Sequence, residues 1–239
     1  YHWHLDDPGV VPNLLNTGGG SPTGLTVYEG SLLPAEFRGQ VIHCDAGPNV
    51  TRAYPVERDG AGYKGRIVNV LEGARDRWFR PADVKAAPDG SLIVADWYDP
   101  GVGGHNMQDL DRGRLFRVTP KGHTGYKTPK FNFATVEGCV EAFKSPNSAT
   151  RYVAWQALKQ MPAKAEPALL KIARDADTRL RARALWLIAA LHKGNAPSVV
   201  AGTLSEESDD LRAVGLRIAR MHQLDVIPFV EKLVKDASP

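Results

Sequence analysis

The sequence predicts a β plus α protein in two domains. The C-terminal blades of an incomplete β-propeller occupy residues 1–127, and a HEAT-like α-solenoid follows over residues 128–239. Three observations predict this. Near residues 121–137 the apolar spacing changes from a period of two to a helical period, and glycine nearly vanishes. Each half then repeats itself, the first in a blade-like unit and the second at about 30 residues. The formal charge divides at the same place, net −1 for residues 1–137 and +4 for residues 138–239.

In the first half, residues 39–45, 49–56, 65–71, 91–96 and 113–118 alternate apolar and polar side chains between Gly, Pro, Asn and Asp, and read as strands. Pro88-Asp89-Gly90 is a tight turn between two of them. Ser21-Pro22-Thr23-Gly24-Leu25 is answered by Arg80-Pro81-Ala82-Asp83-Val84, Val41-Ile42-His43-Cys44-Asp45 by Leu92-Ile93-Val94-Ala95-Asp96, and Val50-Thr51-Arg52 by Leu115-Phe116-Arg117. A repeated unit of four antiparallel strands is a propeller blade. The first blade runs over residues 22–71, and the second supplies three strands at 82–87, 91–96 and 113–118. Its fourth strand is expected from an N-terminal segment. Rings use ~4–8 blades, so two blades and a lead-in, Tyr1-His2-Trp3-His4, read as the end of a propeller. Residue 1 is Tyr and no signal peptide follows, so the sequence is expected to start inside a longer polypeptide.

In the second half, Asn147, Arg151, Ala154 and Leu158 are echoed by Asp177, Arg181, Ala184 and Ile188, and again by Ser208, Arg212, Gly215 and Ala219. A polar cap, an arginine, then a small residue three positions on suits stacked helix pairs. The small residue admits a neighbouring helix. The arginine reaches the adjoining repeat, a structural role preferred here over anion binding, and Trp155 and Trp186 read as core.

Composition excludes several classes. A net charge of +3 gives no basic footprint for nucleic acid. No apolar run approaches the ~20 residues that span a bilayer. Cys44 and Cys139 lack CxxC spacing, which argues against a disulfide scaffold or a thiolate metal site. There is no GxSxG elbow, GxxxxGK[ST] loop, HExxH or CxxCH.

Strand direction alternates within a blade, so one end of the sheets collects the first B–C loop, the D–A connection and the second B–C loop. These bring Asp45 and Asn49, then Arg77, Arg80 and Asp83, then Asp96, Asp99 and His105 toward one channel mouth. The second B–C loop is long, and long loops of this kind are often functional. Asp45 and Asp96 also suit turn caps, and Arg80 also suits bracing through Asp83 or Asp96. His43 reads as packed between blades. Asp96, Asp99, Asp109 and Asp111 offer oxygen ligands of the type Ca²⁺ takes, but their spacing matches no EF-hand. His2 and His4 project to one side of a strand, and no metal site is assigned to them.

The segments 21–30, 42–49, 78–84, 87–92, 95–99 and 111–114 together resemble the bacterial putative membrane-bound dehydrogenase proteins, in which a propeller and HEAT repeats are often followed by a cytochrome c domain. Their propellers are distantly similar to the glucose/sorbosone dehydrogenases that use pyrroloquinoline quinone (PQQ) and Ca²⁺. The resemblance implies a cell-envelope, periplasmic location, a sugar or alcohol substrate, a cytochrome-type electron acceptor, and haem c only in a domain outside this chain. It matches Arg80 to a quinone-binding arginine, whose fork suits carboxylates. Ala82 stands where those enzymes carry a second arginine, and Ala46-Gly47-Pro48 where they carry a lysine. Their catalytic histidine belongs to an earlier blade, so this chain alone is expected to be inactive. The other function considered is a non-catalytic carbohydrate-binding propeller, with the solenoid as a protein-interaction platform.

Overall fold

A computed structural model describes residues 13–18, 20–60, 62–102, 111–191 and 194–238. The chain is a mixed β and α protein that divides into two compact units, residues 1–129 with 145–148, and residues 130–144 with 149–239.

Among the described residues, unit one holds three antiparallel sheets. Four strands, β1 (Pro22–Val27), β2 (Val41–Asp45), β3 (Val50–Tyr54) and β6 (Val68–Glu72), pair in that order as sheet one. Between β3 and β6 the chain makes a separate hairpin, β4 (Val56–Asp59) and β5 (Gly62–Gly65). Three more strands, β7 (Pro81–Ala86), β8 (Leu92–Asp96) and β9 (Arg114–Val118), form sheet two. Sequence reading finds the strands of sheets one and two but not the hairpin, whose side chains are almost all exposed and therefore carry no apolar alternation.

The two sheets are built alike. Pro22 pairs with Asp45 and Pro81 with Asp96, and the ladder slips just after each proline. Ala46 N donates to Ser21 O, and Trp97 N to Arg80 O. The third strands correspond with one correction. Asp45 pairs with Val50 and Asp96 with Arg114, so Val50 is the counterpart of Arg114, one residue earlier than the sequence repeat suggests.

Ile42, Cys44 and Ala53 of sheet one share an apolar cluster with Val84, Ala86, Leu92 and Val94 of sheet two, and Tyr28 closes it. The Tyr28 hydroxyl donates to Gly90 O (2.7 Å) and accepts from Leu33 N (2.9 Å), so this buried phenol is satisfied on both sides. Gly90 has φ +88°, as the predicted turn requires. The sheets also approach closely at Gly24, where a Cβ would lie 2.6 Å from the Asp83 Cα.

Burial pushes the Cys44 thiol up to about 11, and Cys139 is likewise buried. A thiol reagent at pH 8 should therefore label neither cysteine in the native chain, because thiolate and access are both lacking. Labelling should begin only as denaturant opens each unit. Prompt native labelling would contradict this packing.

Unit two contains α1 (Val136–Phe143), α2 (Ser148–Lys159), α3 (Pro162–Ile172), α4 (Thr178–Leu191), α5 (Asn195–Thr203), α6 (Asp209–Met221) and α7 (Ile227–Leu233). The repeat positions behave as their spacing requires. Ala154 and Leu158 on α2, Ala184 and Ile188 on α4, and Gly215 and Ala219 on α6 are all buried. Caps start the helices: Thr135 accepts from Gly138 N, Asp177 from Arg179 N, and Ser208 from Leu211 N. Two of the repeated arginines tie successive turns together. Arg181 donates to Ala173 O and pairs with Glu206. Arg212 donates to the carbonyls of Glu206 and Glu207 and forks onto Asp236 at 2.6 Å. No helix among the described residues is long and apolar enough to cross a membrane.

Candidate functional site

At one end of the two sheets, three connections meet: the β2–β3 turn, the β6–β7 connection and the start of the β8–β9 connection. Asn49 fastens the first two. Its φ of +61° turns the chain from β2 into β3, and its amide donates to the carbonyls of Arg77 (3.1 Å) and Phe79 (2.5 Å). Gly73 N returns to Asn49 O, closing the staple.

Two buried aspartates lock this end, one per sheet. Asp45 Oδ1 accepts from Ser21 N at 2.7 Å, and its other oxygen faces Arg52 Nη1 at 3.8 Å. Asp96 Oδ1 accepts from Arg80 N (2.7 Å) and Tyr98 N (2.9 Å), while Oδ2 accepts from Arg114 Nε (2.8 Å) and Nη2 (2.5 Å). The same residue at the same register therefore holds the main chain just before each proline. A buried carboxylate is tolerable only with such donors.

Arg114 is the hub that sequence reasoning missed. Its remaining terminal nitrogen pairs with Asp76 at 2.8 Å. Its guanidinium lies 4.2 Å from the centre of the Tyr98 ring, and Trp78 packs on Tyr98 with ring centres 5.4 Å apart. The hydrogen bonds from Arg114 hold the Asp76 carboxyl below its usual range. Tyr98 itself has φ +56°, an uncommon left-handed conformation for a bulky residue. The Asp96 and Arg114 contacts supply what holds it there. Trp97 next to it is 39% exposed, so the rim presents aromatic surface beside its polar groups.

Arg80 is buried, but its guanidinium meets main chain. Nη1 donates to Ala46 O (3.2 Å) and Nη2 to Pro100 O (3.0 Å), while the buried Nε has no hydrogen-bond partner. The alternative of bracing through Asp83 or Asp96 is thus replaced: Arg80 reaches Asp96 with its backbone N–H, and Arg114 supplies the guanidinium. Asp83 turns instead toward β1, over Gly24, and pairs with Lys85 at 2.9 Å. Arg77 contributes its carbonyl, and its side chain is exposed. Asp99 caps its own turn by accepting from Gly101 N at 2.8 Å, and its N–H donates to Trp78 O. His105, Asp109, His2 and His4 lie outside the described residues.

His43 sits on the face of sheet one opposite Ile42 and Cys44. Its Nδ1 is 2.9 Å from the Tyr54 hydroxyl. Burial holds the imidazole below its ordinary 6.5, outweighing the nearby Asp45 charge. The unfolded chain therefore takes up this proton first, so stability from the neutral form is full above about pH 6.5 and falls as pH drops through the lower folded value. An NMR titration should place His43 below 6.5, and a midpoint above it would contradict this environment.

Residues 16–122 match the model of a domain of unknown function, DUF7133. Among the described residues, the match takes in all nine strands and none of the seven α-helices. No curated protein and no solved structure matches the chain.

Proposed function

We propose that sheets one and two are neighbouring blades of a β-propeller, that the helices form a HEAT-like solenoid, and that the polar end of the blades is part of a sugar- or alcohol-binding mouth in a cell-envelope, dehydrogenase-like protein. The duplicated aspartate lock carries the blade reading. It relates sheet two to sheet one residue by residue and sets three connections at the same end of both sheets. The faces agree with it. The face holding Ile42 and Cys44 in sheet one packs on sheet two, whereas Leu115, on the corresponding face of sheet two, is 75% exposed. On the opposite face of sheet one, Leu25 and Val27 are also exposed. Each outer face has the character of a surface that another blade covers.

Aromatic and polar groups at one rim suit a polyhydroxylated ligand, since sugar rings offer both C–H faces and hydroxyls. In this reading electrons from the substrate leave toward a cytochrome-type acceptor whose haem c lies outside the chain, and the solenoid is a spacer or docking surface. The residues present do not fit the cofactors of the sugar dehydrogenases. Both terminal nitrogens of Arg80 are engaged by carbonyls, so the free fork that would grip a quinone carboxylate is not presented. Both Asp96 oxygens are taken by protein donors, which withholds them from Ca²⁺. No chemical step is therefore assigned to PQQ or Ca²⁺ at these residues.

That disagreement favours the second reading, a non-catalytic carbohydrate-binding propeller with the solenoid as a protein-interaction platform. A glycan array and a dye-reduction assay on the full protein separate the two. Sugar-dependent dye reduction establishes the dehydrogenase, tight glycan binding without turnover establishes the binding protein, and the absence of both would overturn the proposed mouth.

A further inference from the structure

The acidic and basic side chains at the rim are used differently. Asp76 and Asp96 are both held by Arg114, Asp99 accepts from Gly101 N, and Glu72 accepts from the Asn69 amide. Arg75 and Arg77 flank Asp76 in the β6–β7 connection, and Arg112 lies two residues ahead of Arg114. All three arginines are exposed, and none has an acidic partner among the described residues. Asp111, next to Arg112, is the exposed carboxylate that stands against them.

Arg80 adds a fourth charge without a counter-ion. Its buried guanidinium meets the carbonyls of Ala46, Phe79 and Pro100, its Nε has no hydrogen-bond partner, and no carboxylate lies in ion-pair range of it among the described residues. A buried cation of this kind is costly, and its field is screened less than that of a group in water. The carbonyls that keep Arg80 from gripping a ligand directly leave its charge uncancelled. An anion at the rim would gain from that field as well as from the exposed arginines.

We propose that the mouth selects acidic oligosaccharides, whose anionic groups are held by Arg75, Arg77 and Arg112 while a sugar face rests on Trp97. Guanidinium forks pair with such groups through two parallel, charge-assisted hydrogen bonds. The inference rests on the sugar-binding mouth proposed above and names its ligand class. Carboxylate and sulfate share the required chemistry, so the test carries one oligosaccharide of each kind.

Calorimetric titration of the full protein compares oligogalacturonate, its neutral methyl ester, and a sulfated galactan with its unsulfated parent. An acidic oligomer should bind about tenfold tighter than its neutral counterpart, and added salt should close the gap. The pair that shows the gap identifies carboxylate or sulfate as the group bound. Arg77→Gln with Arg112→Gln should remove most of the preference while leaving the neutral oligomer's affinity and the urea midpoint unchanged, because both side chains are exposed. Equal binding of acidic and neutral oligomers, or a double variant that weakens both alike, would overturn the inference and leave the mouth standing. Binding of none of the four would overturn the mouth itself.

Discussion

Replacing Asp96 by alanine should cost unit one about 3 kcal/mol, read as a lower urea midpoint. The change leaves two backbone N–H groups and part of the Arg114 fork without their acceptor, and stranding partners of a buried charge costs far more than the net value of the pair. Arg114 retains Asp76 and some solvent, which keeps the figure below the extreme for fully buried ion pairs. Asp45→Ala should cost less, about 1–2 kcal/mol, because Asp45 accepts a single backbone donor and faces Arg52 only at 3.8 Å. The order of the two effects is the informative quantity. Equal losses would mean that Arg114 contributes nothing to the second lock.

Gly215→Ala should destabilise unit two by about 1–3 kcal/mol, the usual range for forcing a methyl into a filled core. A Cβ at Gly215 would stand 1.9 Å from Thr203 Oγ1 and 2.9 Å from Thr203 Cβ, at the crossing of α5 and α6. The Thr203 hydroxyl is fixed by its bond to Val200 O at 2.7 Å and cannot swing aside without losing it. Thr203→Ala in the same chain should return part of the loss, so the double variant should be more stable than the sum of the singles predicts. Strict additivity in urea unfolding would contradict this crossing.

Much of the fold is legible in sequence because the same local requirement recurs. A strand ending in Asp before a turn is needed twice to hold the chain ahead of Pro22 and Pro81, so the residues repeat and the repeated strand unit can be seen. Helical positions 154, 184 and 215 repeat for the same reason, each admitting a neighbouring helix. The β4–β5 hairpin escapes because Val56–Asp59 and Gly62–Gly65 bury almost nothing, although Arg58-Asp59-Gly60 is a turn signal. The rim is legible only in outline. Its connections can be placed from strand direction, but the partner of each charge depends on register. Arg114 finds Asp76, 38 residues away, and Arg80 finds the carbonyls of Ala46 and Pro100, which no side-chain pattern announces.

Native-state amide exchange at Ser21 and Arg80 tests most directly whether one lock has been built twice. Both N–H groups should be strongly protected. Protection at Arg80 should collapse in Asp96→Ala while Ser21 is unchanged, and the reverse should hold in Asp45→Ala. Rapid exchange at either amide in the unmodified chain would contradict the paired sheets and the mouth proposed from them.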